Sequence, residues 1–345
     1  MSGYFEDIEA VFRLELPWNV LSECNILVTG ATGLIGGCLV ETLMRNPKRK
    51  YHIYASGRSE ARARVLFNDF LGDEYFHFLK YDVIEPLNCE IQFDYIIHAA
   101  SNGSPNFFAE KPVEVMKANI YGVDNLLNYG VHHGMKRMLY VSSGEVYGEG
   151  DGRPFSESYS GYVDCTKPRS CYPSAKRAAE SLCASYIVEH NTDVVIARPC
   201  HIYGPHFTES DNRVYAQFIR NVLNDENIIL KSTGEQIRSW CYVVDCISAL
   251  LFILLKGKNG CAYNIADNKS NISIKELAEL VAGIENKEVV FDLPSFDEQR
   301  GFNTVNKSVF LTDQLESLGW KITDDLYSKM VSTIKERRRY ERKET

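Results

Sequence analysis

Tyr172 and Lys176 stand four residues apart in the stretch Cys171-Tyr172-Pro173-Ser174-Ala175-Lys176-Arg177. On a helix that spacing puts both side chains on one face, a turn apart. A phenol beside an ammonium makes a usable base. With an ordinary pKa of about 10, roughly 0.1% of a phenol is ionised at neutral pH. A fixed positive charge close by favours the phenolate and lowers that value. Such a tyrosine can take the proton of a sugar or steroid hydroxyl while hydride leaves the same carbon. The same spacing also arises in an ordinary amphipathic helix, so the rest of the chain has to decide between the two.

The element that would hold a hydride acceptor lies near the start. Asn25 to Thr29 reads as a buried strand running into Gly30-Ala31-Thr32-Gly33-Leu34-Ile35-Gly36, and Gly37 to Arg45 reads as a helix. Strand, glycine turn and helix in immediate succession is the context that dinucleotide binding requires. Gly30 permits the tight turn, Gly33 lets the backbone approach a pyrophosphate, and Gly36 lets the helix pack on the strand. The helix N-terminus then faces the phosphates, with Thr32, Leu34 and Ile35 completing the binding loop.

Composition narrows the alternatives. The 345 residues suffice for one large α/β domain or two smaller ones, and an apolar content of 45% supports a sizeable core. A net charge of −8 argues against a nucleic-acid partner, because phosphate binding is built on excess lysine and arginine. The ten cysteines form no C-x-x-C pair, so neither a zinc ribbon nor another metal site is expected. Scattered thiols and an acidic start without an apolar run suggest a cytoplasmic protein with no membrane contact. The longest apolar run, Ala249 to Leu255, is too short to cross a bilayer and reads as a buried helix. Tyr4 to Leu16 reads as an amphipathic helical extension.

The glycine spacing, G-x-x-G-x-x-G, resembles that of the short-chain dehydrogenase/reductase superfamily, and further stretches resemble its extended branch, the nucleotide-sugar epimerases and dehydratases. The strand His52 to Ala55 leads to Ser56-Gly57-Arg58-Ser59, where an acid would bind the adenosine ribose. Arg58 there favours NADP over NAD, although it also reads as a solvated loop arginine. Asp82-Val83 after the strand Phe76 to Lys80 looks like the adenine-contacting pair. Ala99-Ala100-Ser101 follows the strand Tyr95 to His98 and would let the cofactor lie against backbone. Asn119 resembles the helix asparagine that shapes the active site. Ser142-Ser143-Gly144-Glu145-Val146-Tyr147-Gly148 is similar to S-[ST]-x-x-V-Y-G, with Ser143 at the catalytic Ser/Thr position.

Arg198-Pro199-Cys200-His201-Ile202-Tyr203-Gly204-Pro205 resembles R-x-x-N-x-Y/F-G-P, with Pro199 near the cofactor and His201 in place of a substrate-contacting Asn. Gly234 to Asp245 resembles G-x-x-x-R-x-[FW]-x-Y-V-x-D, in which Arg238 is the natural diphosphate partner because its planar fork matches phosphate oxygens. Arg213 and Arg300 join it as substrate-binding candidates. Together these imply an α/β fold, a Rossmann doubly wound parallel sheet with a smaller mixed α/β substrate lobe. The expected division is an extension over 1–22, the dinucleotide domain over 23–200, and the lobe over 201–345, with about 241–255 rejoining the first domain.

The resemblance implies an NAD(P)-dependent enzyme that oxidises a nucleotide sugar transiently at C4. Tyr172 would be the base, Ser143 the hydrogen-bond donor, Lys176 a ribose contact as well, and Glu145 a further catalytic residue. Epimerisation is the first reading and UDP-glucuronate decarboxylation the second, since Ser143-Gly144-Glu145 keeps the Glu without the Asp of the 4,6-dehydratases. Dehydration or reduction ranks lower. A non-catalytic dinucleotide sensor is the remotest reading, because Ser143, Tyr172 and Lys176 are all present. A homodimer through the helices Val113 to Val131 and Tyr172 to Glu189 is implied too, with Val123, Leu127, Leu182 and Tyr186 either as its contacts or packed inward.

Overall fold

The computed structural model describes residues 3–101, 103–293, 307–323 and 325–344. Its centre is a parallel sheet of β1 (Asn25–Thr29), β2 (His52–Gly57), β3 (Phe76–Lys80), β4 (Tyr95–His98), β5 (Arg137–Val141), β6 (Val194–Pro199) and β10 (Ala262–Ile265). The spatial order is β3-β2-β1-β4-β5-β6-β10. β1, β4 and β5 are almost wholly buried and apolar, as strands covered on both faces must be. The chain leaves β1 toward one edge and returns at β4 to build toward the other, so the crevice beyond their carboxyl ends is the topological switch point where doubly wound sheets bind ligands.

The helices on the two faces are α2 (Leu34–Arg45), α3 (Glu60–Leu66), α5 (Pro112–His133), α6 (Cys171–His190) and α8 (Val243–Lys256), with the short α4 (Pro105–Glu110) before α5. α8 is buried on nearly every side, so its apolar run reads as core and not as a membrane span. Among the described residues no helix is long and apolar enough to cross a membrane. α5 and α6 pack side by side. Val123 and Leu127 are fully buried in the core beneath the sheet, with Tyr186 nearly so and Leu182 packed against them. The contacts expected on the outer faces of these helices therefore point inward; their exposed apolar residues are Val113, Met116, Tyr121 and Val188.

A second, smaller sheet lies above the crevice. In it β9 (Ile237–Tyr242) pairs in parallel with β7 (His201–Tyr203) and β13 (Lys307–Ser308) and antiparallel with β11 (Asn271–Ser273). A parallel pair of β8 (Ile228–Leu230) and β12 (Val289–Phe291) flanks it, with α7 (Val214–Leu223), α9 (Ile274–Ile284) and α10 (Asp313–Ser317) alongside.

The N-terminal extension forms a shorter helix than its pattern suggests. α1 covers Tyr4–Val11 and gives way to a turn before Trp18–Leu21. Tyr4, Ile8 and Val11 bury against α2 and α8. Asp7 meets Lys329 of the last helix, α11 (Leu326–Glu344), in a buried ion pair of 3.0 Å. The first and last helices are thereby joined to one core.

Candidate active site

The turn after β1 has the shape that its glycines imply. Gly30 has φ +68°, and a Cβ there would lie 2.6 Å from Ala99 O and Ala100 N. A Cβ on Gly36 would overlap the carbonyl of Gly30. The two loops at the switch point can meet only because these positions lack side chains. α2 starts at Leu34 behind an extended Gly33 with no side-chain cap, which leaves its first amides available to an anion. Arg62, which sequence reading passed over, donates its Nε to the Thr32 carbonyl at 3.0 Å and pins the loop. Val83 is buried, and Asn125 Nδ2 donates to its carbonyl at 2.9 Å. This cradle fits a dinucleotide.

Arg58 is exposed at the end of β2, beside Asp82 (4.0 Å) and Glu114 (3.5 Å). Two carboxylates already engage its guanidinium, so it does not stand as a free receptor for a ribose phosphate. That removes the basis for preferring NADP.

Tyr172 and Lys176 lie in the first turns of α6, both buried. Burial pushes the Tyr172 phenol up to about 12, and the charge of Glu145 adds to the rise, while hydrogen bonding with Ser143 and Ser101 and the positive charge of Arg213 oppose it. Lys176 Nζ donates to the Val141 carbonyl at 2.9 Å and sits 5.8 Å from the Tyr172 ring. Burial brings the lysine itself down to about 7, against a rise from Glu180 one turn along. The phenol is therefore raised, where the spacing with Lys176 predicts it lowered, and the positive charge that opposes the rise is that of Arg213, a residue from the smaller lobe. Ser101 Oγ in turn donates to Asn119 Oδ1 at 3.0 Å, and Asn119 Nδ2 to the Val115 carbonyl at 2.8 Å. A chain of hydrogen bonds therefore runs from α5 toward the phenol.

Ser143 is extended and caps the tight turn Gly144–Tyr147, its Oγ accepting from the Glu145 amide at 3.1 Å. That turn is braced from α6. Arg177 Nε donates to the Val146 carbonyl at 2.6 Å. Ser142 Oγ donates to Glu180 at 2.5 Å, and Glu180 holds Arg198 of β6 through two further bonds of 3.1 and 2.7 Å. Sequence reading missed Glu180. Its signal was available, because Glu180 continues the stripe of Tyr172 and Lys176 at the same spacing of four. Gly144 has a specific reason to be glycine: a Cβ there would overlap the Phe310 ring and approach the Pro199 carbonyl at 3.4 Å. An acidic side chain beside Ser143 would have no room.

The remaining candidates converge from the lobe. His201 opens β7 with its ring 5.3 Å from Trp240. It is ringed by protein yet open to solvent, as a cleft wall is. Burial, then Arg238 and Arg213, push its pKa down to about 3, so the imidazole is neutral near pH 7. Arg238 is buried on β9, its NH1 donating to the Ile237 carbonyl at 2.9 Å, and Glu145 acts on it. Arg213 precedes α7 and is held by Asp211 (2.5 Å) and the Tyr215 hydroxyl (3.0 Å). Ser143, Glu145, Tyr172, Ser101, Arg213, His201 and Arg238 therefore form one mutually interacting group, with Lys176 beneath it. Arg300 lies outside the described residues.

A parallel sheet with a glycine cradle at its switch point, and a tyrosine, a serine and a lysine beside it, defines a dinucleotide-dependent enzyme of the short-chain dehydrogenase type. Residues 26–266 match the NAD dependent epimerase/dehydratase family, and the chain belongs to it. Of the two cofactors that the sequence left open, NAD is the family's. UDP-glucuronic acid decarboxylase 5 of Arabidopsis thaliana is 34% identical over 87% of this chain and 85% of its own length. UDP-glucuronic acid decarboxylase 1 of Xenopus tropicalis is 31% identical over 92% of this chain and 74% of its own. Among solved structures, the UDP-glucose 4-epimerase of Thermotoga maritima superposes with a TM-score of 0.78 at 24% identity, covering 93% of this chain and 99% of that one. At that identity the likeness bears on the fold alone.

Proposed function

We propose that this enzyme decarboxylates a UDP-linked uronic acid, with UDP-glucuronate as the substrate to test first. The observation that carries the reading is the arrangement at Ser143-Gly144-Glu145. A glutamate stands there without a neighbouring acid, and the Phe310 ring fills the place such an acid would need. Elimination of water needs both a base and a proton donor, so this arrangement counts against a 4,6-dehydratase. The two curated relatives named above, both decarboxylases by name, support the same choice.

Bound in the glycine cradle, NAD would supply acceptance and return of a hydride at C4. Tyr172 takes the proton of the C4 hydroxyl, and Ser143 donates a hydrogen bond to that oxygen. The ketone so formed is β to the C5 carboxylate. The bond to the carboxylate breaks, its electron pair moves into the enolate, and carbon dioxide leaves. Donors already aimed at the C4 oxygen stabilise the charge that develops there. C5 then takes up a proton, drawn from solvent, in place of the lost carboxylate, and Tyr172 gives its proton back to the C4 oxygen as the ketone is reduced. Arg238 and Arg213 would neutralise the diphosphate, with the neutral His201 as a further donor. Lys176 would hold the nicotinamide ribose from below.

C4 epimerisation shares the first step and is the second reading. His201 does not separate the two, since the resemblance places asparagine at that position in the family as a whole. Incubating the full chain and NAD with a panel of UDP-, dTDP-, CDP- and GDP-sugars, read by mass, separates the outcomes. Loss of carbon dioxide from UDP-glucuronate is expected. An unchanged mass with a new stereoisomer would establish the epimerase, and loss of water would overturn both.

We also infer a homodimer, now through the outer faces of α5 and α6 that carry Val113, Met116, Tyr121 and Val188. A monomer mass by light scattering at micromolar concentration would refute it.

A further inference from the structure

Two further side chains, Phe108 and Arg169, stand beside Tyr172. The Phe108 ring, buried on α4, lies parallel to the Tyr172 ring at 4.5 Å and 17°. The Arg169 guanidinium lies over the same Phe108, 4.9 Å from its centre. Arg169 also donates both amino groups to Glu145, NH1 to Oε2 and NH2 to Oε1, each at 3.0 Å. Carboxylate, guanidinium, phenyl and phenol are thus joined by consecutive contacts. α4 is tied to the lobe as well, because Ser104 Oγ donates to Asn212 Oδ1 at 2.8 Å, next to Arg213.

Each contact has a physical consequence. Parallel stacking on Phe108 restricts rotation of the Tyr172 ring, and aromatic pairs hold such geometry with an energy beyond their buried area. The cation over Phe108 holds that ring in turn. A bidentate guanidinium–carboxylate bond fixes Glu145 and offsets its charge at close range. Glu145 needs the offset, because its negative charge acts against the phenolate.

We propose that Phe108 and Arg169 are positioning residues for the base: Phe108 fixes the plane of the Tyr172 ring, and Arg169 shields the phenol from the carboxylate of Glu145. The inference rests on Tyr172 as the base, and it does not depend on which sugar is the substrate. The charged and titratable groups facing the phenol are Glu145 beyond β5, Arg213 from the lobe, Arg169 in the turn before α6, Cys171 at its start, Lys176 one turn on, and Tyr140 on β5. Of these, Arg169 is the one bonded to the group that raises the phenol.

The full-length enzyme labelled with 3-fluorotyrosine gives a readout independent of substrate. The fluorine lowers the phenol pKa and brings its titration toward the range in which the protein is folded. The Tyr172 resonance is the one that Tyr172→Phe removes. In the wild type, a locked ring should give two slowly exchanging fluorine signals, one for each ring orientation. Phe108→Leu should merge them. Arg169→Met should raise the midpoint of titration by at least about 0.5 pH unit by baring Glu145, and adding Glu145→Gln should bring it back to the wild-type value or below. Arg169→Lys, which keeps the charge, should give a smaller rise and serves if Arg169→Met does not fold. Two signals persisting in Phe108→Leu, or a midpoint unmoved in both Arg169 variants, would overturn the proposal. A Tyr172→Phe enzyme that still turns over would instead remove the base assignment on which it rests.

Discussion

Two lysines are buried among the described residues, and their surroundings differ. Lys329, 4% exposed, pairs with the Asp7 carboxylate at 3.0 Å, lies 5.2 Å from the Tyr242 ring, and has Asp245 within its field. Lys176, 1% exposed, meets a neutral carbonyl, that of Val141. A buried ammonium with a carboxylate partner is a fixed joint, and here the joint ties the first helix to the last. A buried ammonium on a carbonyl pays for desolvation without a full counter-charge, which is why its pKa falls to about 7. The second arrangement suits a group that is to act on a neighbouring phenol and cofactor, and it sits one helical turn from Tyr172.

The sharpest way to break the contrast is to remove each charge. Lys329→Met removes the cation from beside the buried Asp7 carboxylate, and urea denaturation should show a loss of about 3–5 kcal/mol, the range for breaking a buried pair. Turnover of the protein that remains folded should be unchanged. Lys176→Met should do the opposite: stability at pH 7 equal to or above wild type, with turnover and NAD affinity both reduced. Equal destabilisation by the two variants would erase the distinction.

Tyr172→Phe keeps the ring stacked on Phe108 and removes only the oxygen. Turnover should fall by at least about 100-fold, the low end for acid–base catalysis, while NAD affinity by calorimetry and the urea midpoint stay near wild type. Near-normal turnover in this variant would sink the mechanism.

The pH dependence of stability separates the two regions by sign. Between pH ~7 and ~10.4 an unfolded lysine binds a proton that folded Lys176 does not, so Lys176 makes stability rise with pH across that window. Asp245, beside Lys329, behaves inversely. Burial raises its carboxyl to about 7, with Lys329 and a hydrogen bond from Thr323 opposing the shift. Between pH ~3.9 and ~7 the folded carboxyl keeps a proton that the unfolded one has lost, so its contribution falls as pH rises. Denaturation series over pH should therefore lose a rising segment in Lys176→Met and a falling one in Asp245→Asn. A series unaltered in shape by either substitution would contradict the assignment.

The smallest expected effect concerns Arg58. Its guanidinium is exposed and engaged by Asp82 and Glu114, so Arg58→Ala should change NAD affinity by less than about threefold, under 1 kcal/mol. NADP binding tighter than NAD in the wild type would restore the earlier reading of this residue.

What the sequence determined by itself is local. The glycine turn, the strands on either side of the switch point and the Tyr172–Lys176 face all follow from rules that act over a few residues: the period of apolar positions, the sterics of a tight turn, and the rise of a helix. Those parts of the fold and of the site were legible before any coordinates. The tertiary structure decided which distant groups meet. It brought Arg213 to the phenol, stacked Phe108 on Tyr172, filled the space beside Gly144 with Phe310, turned Val123 and Leu127 inward, and joined α1 to α11 through Asp7 and Lys329. None of these has a spacing signature, because even the pair nearest in sequence, Tyr172 and Arg213, lies 41 residues apart, and Asp7 and Lys329 lie 322 apart. They are fixed by how whole elements pack, and packing depends on the shape of every side chain between them.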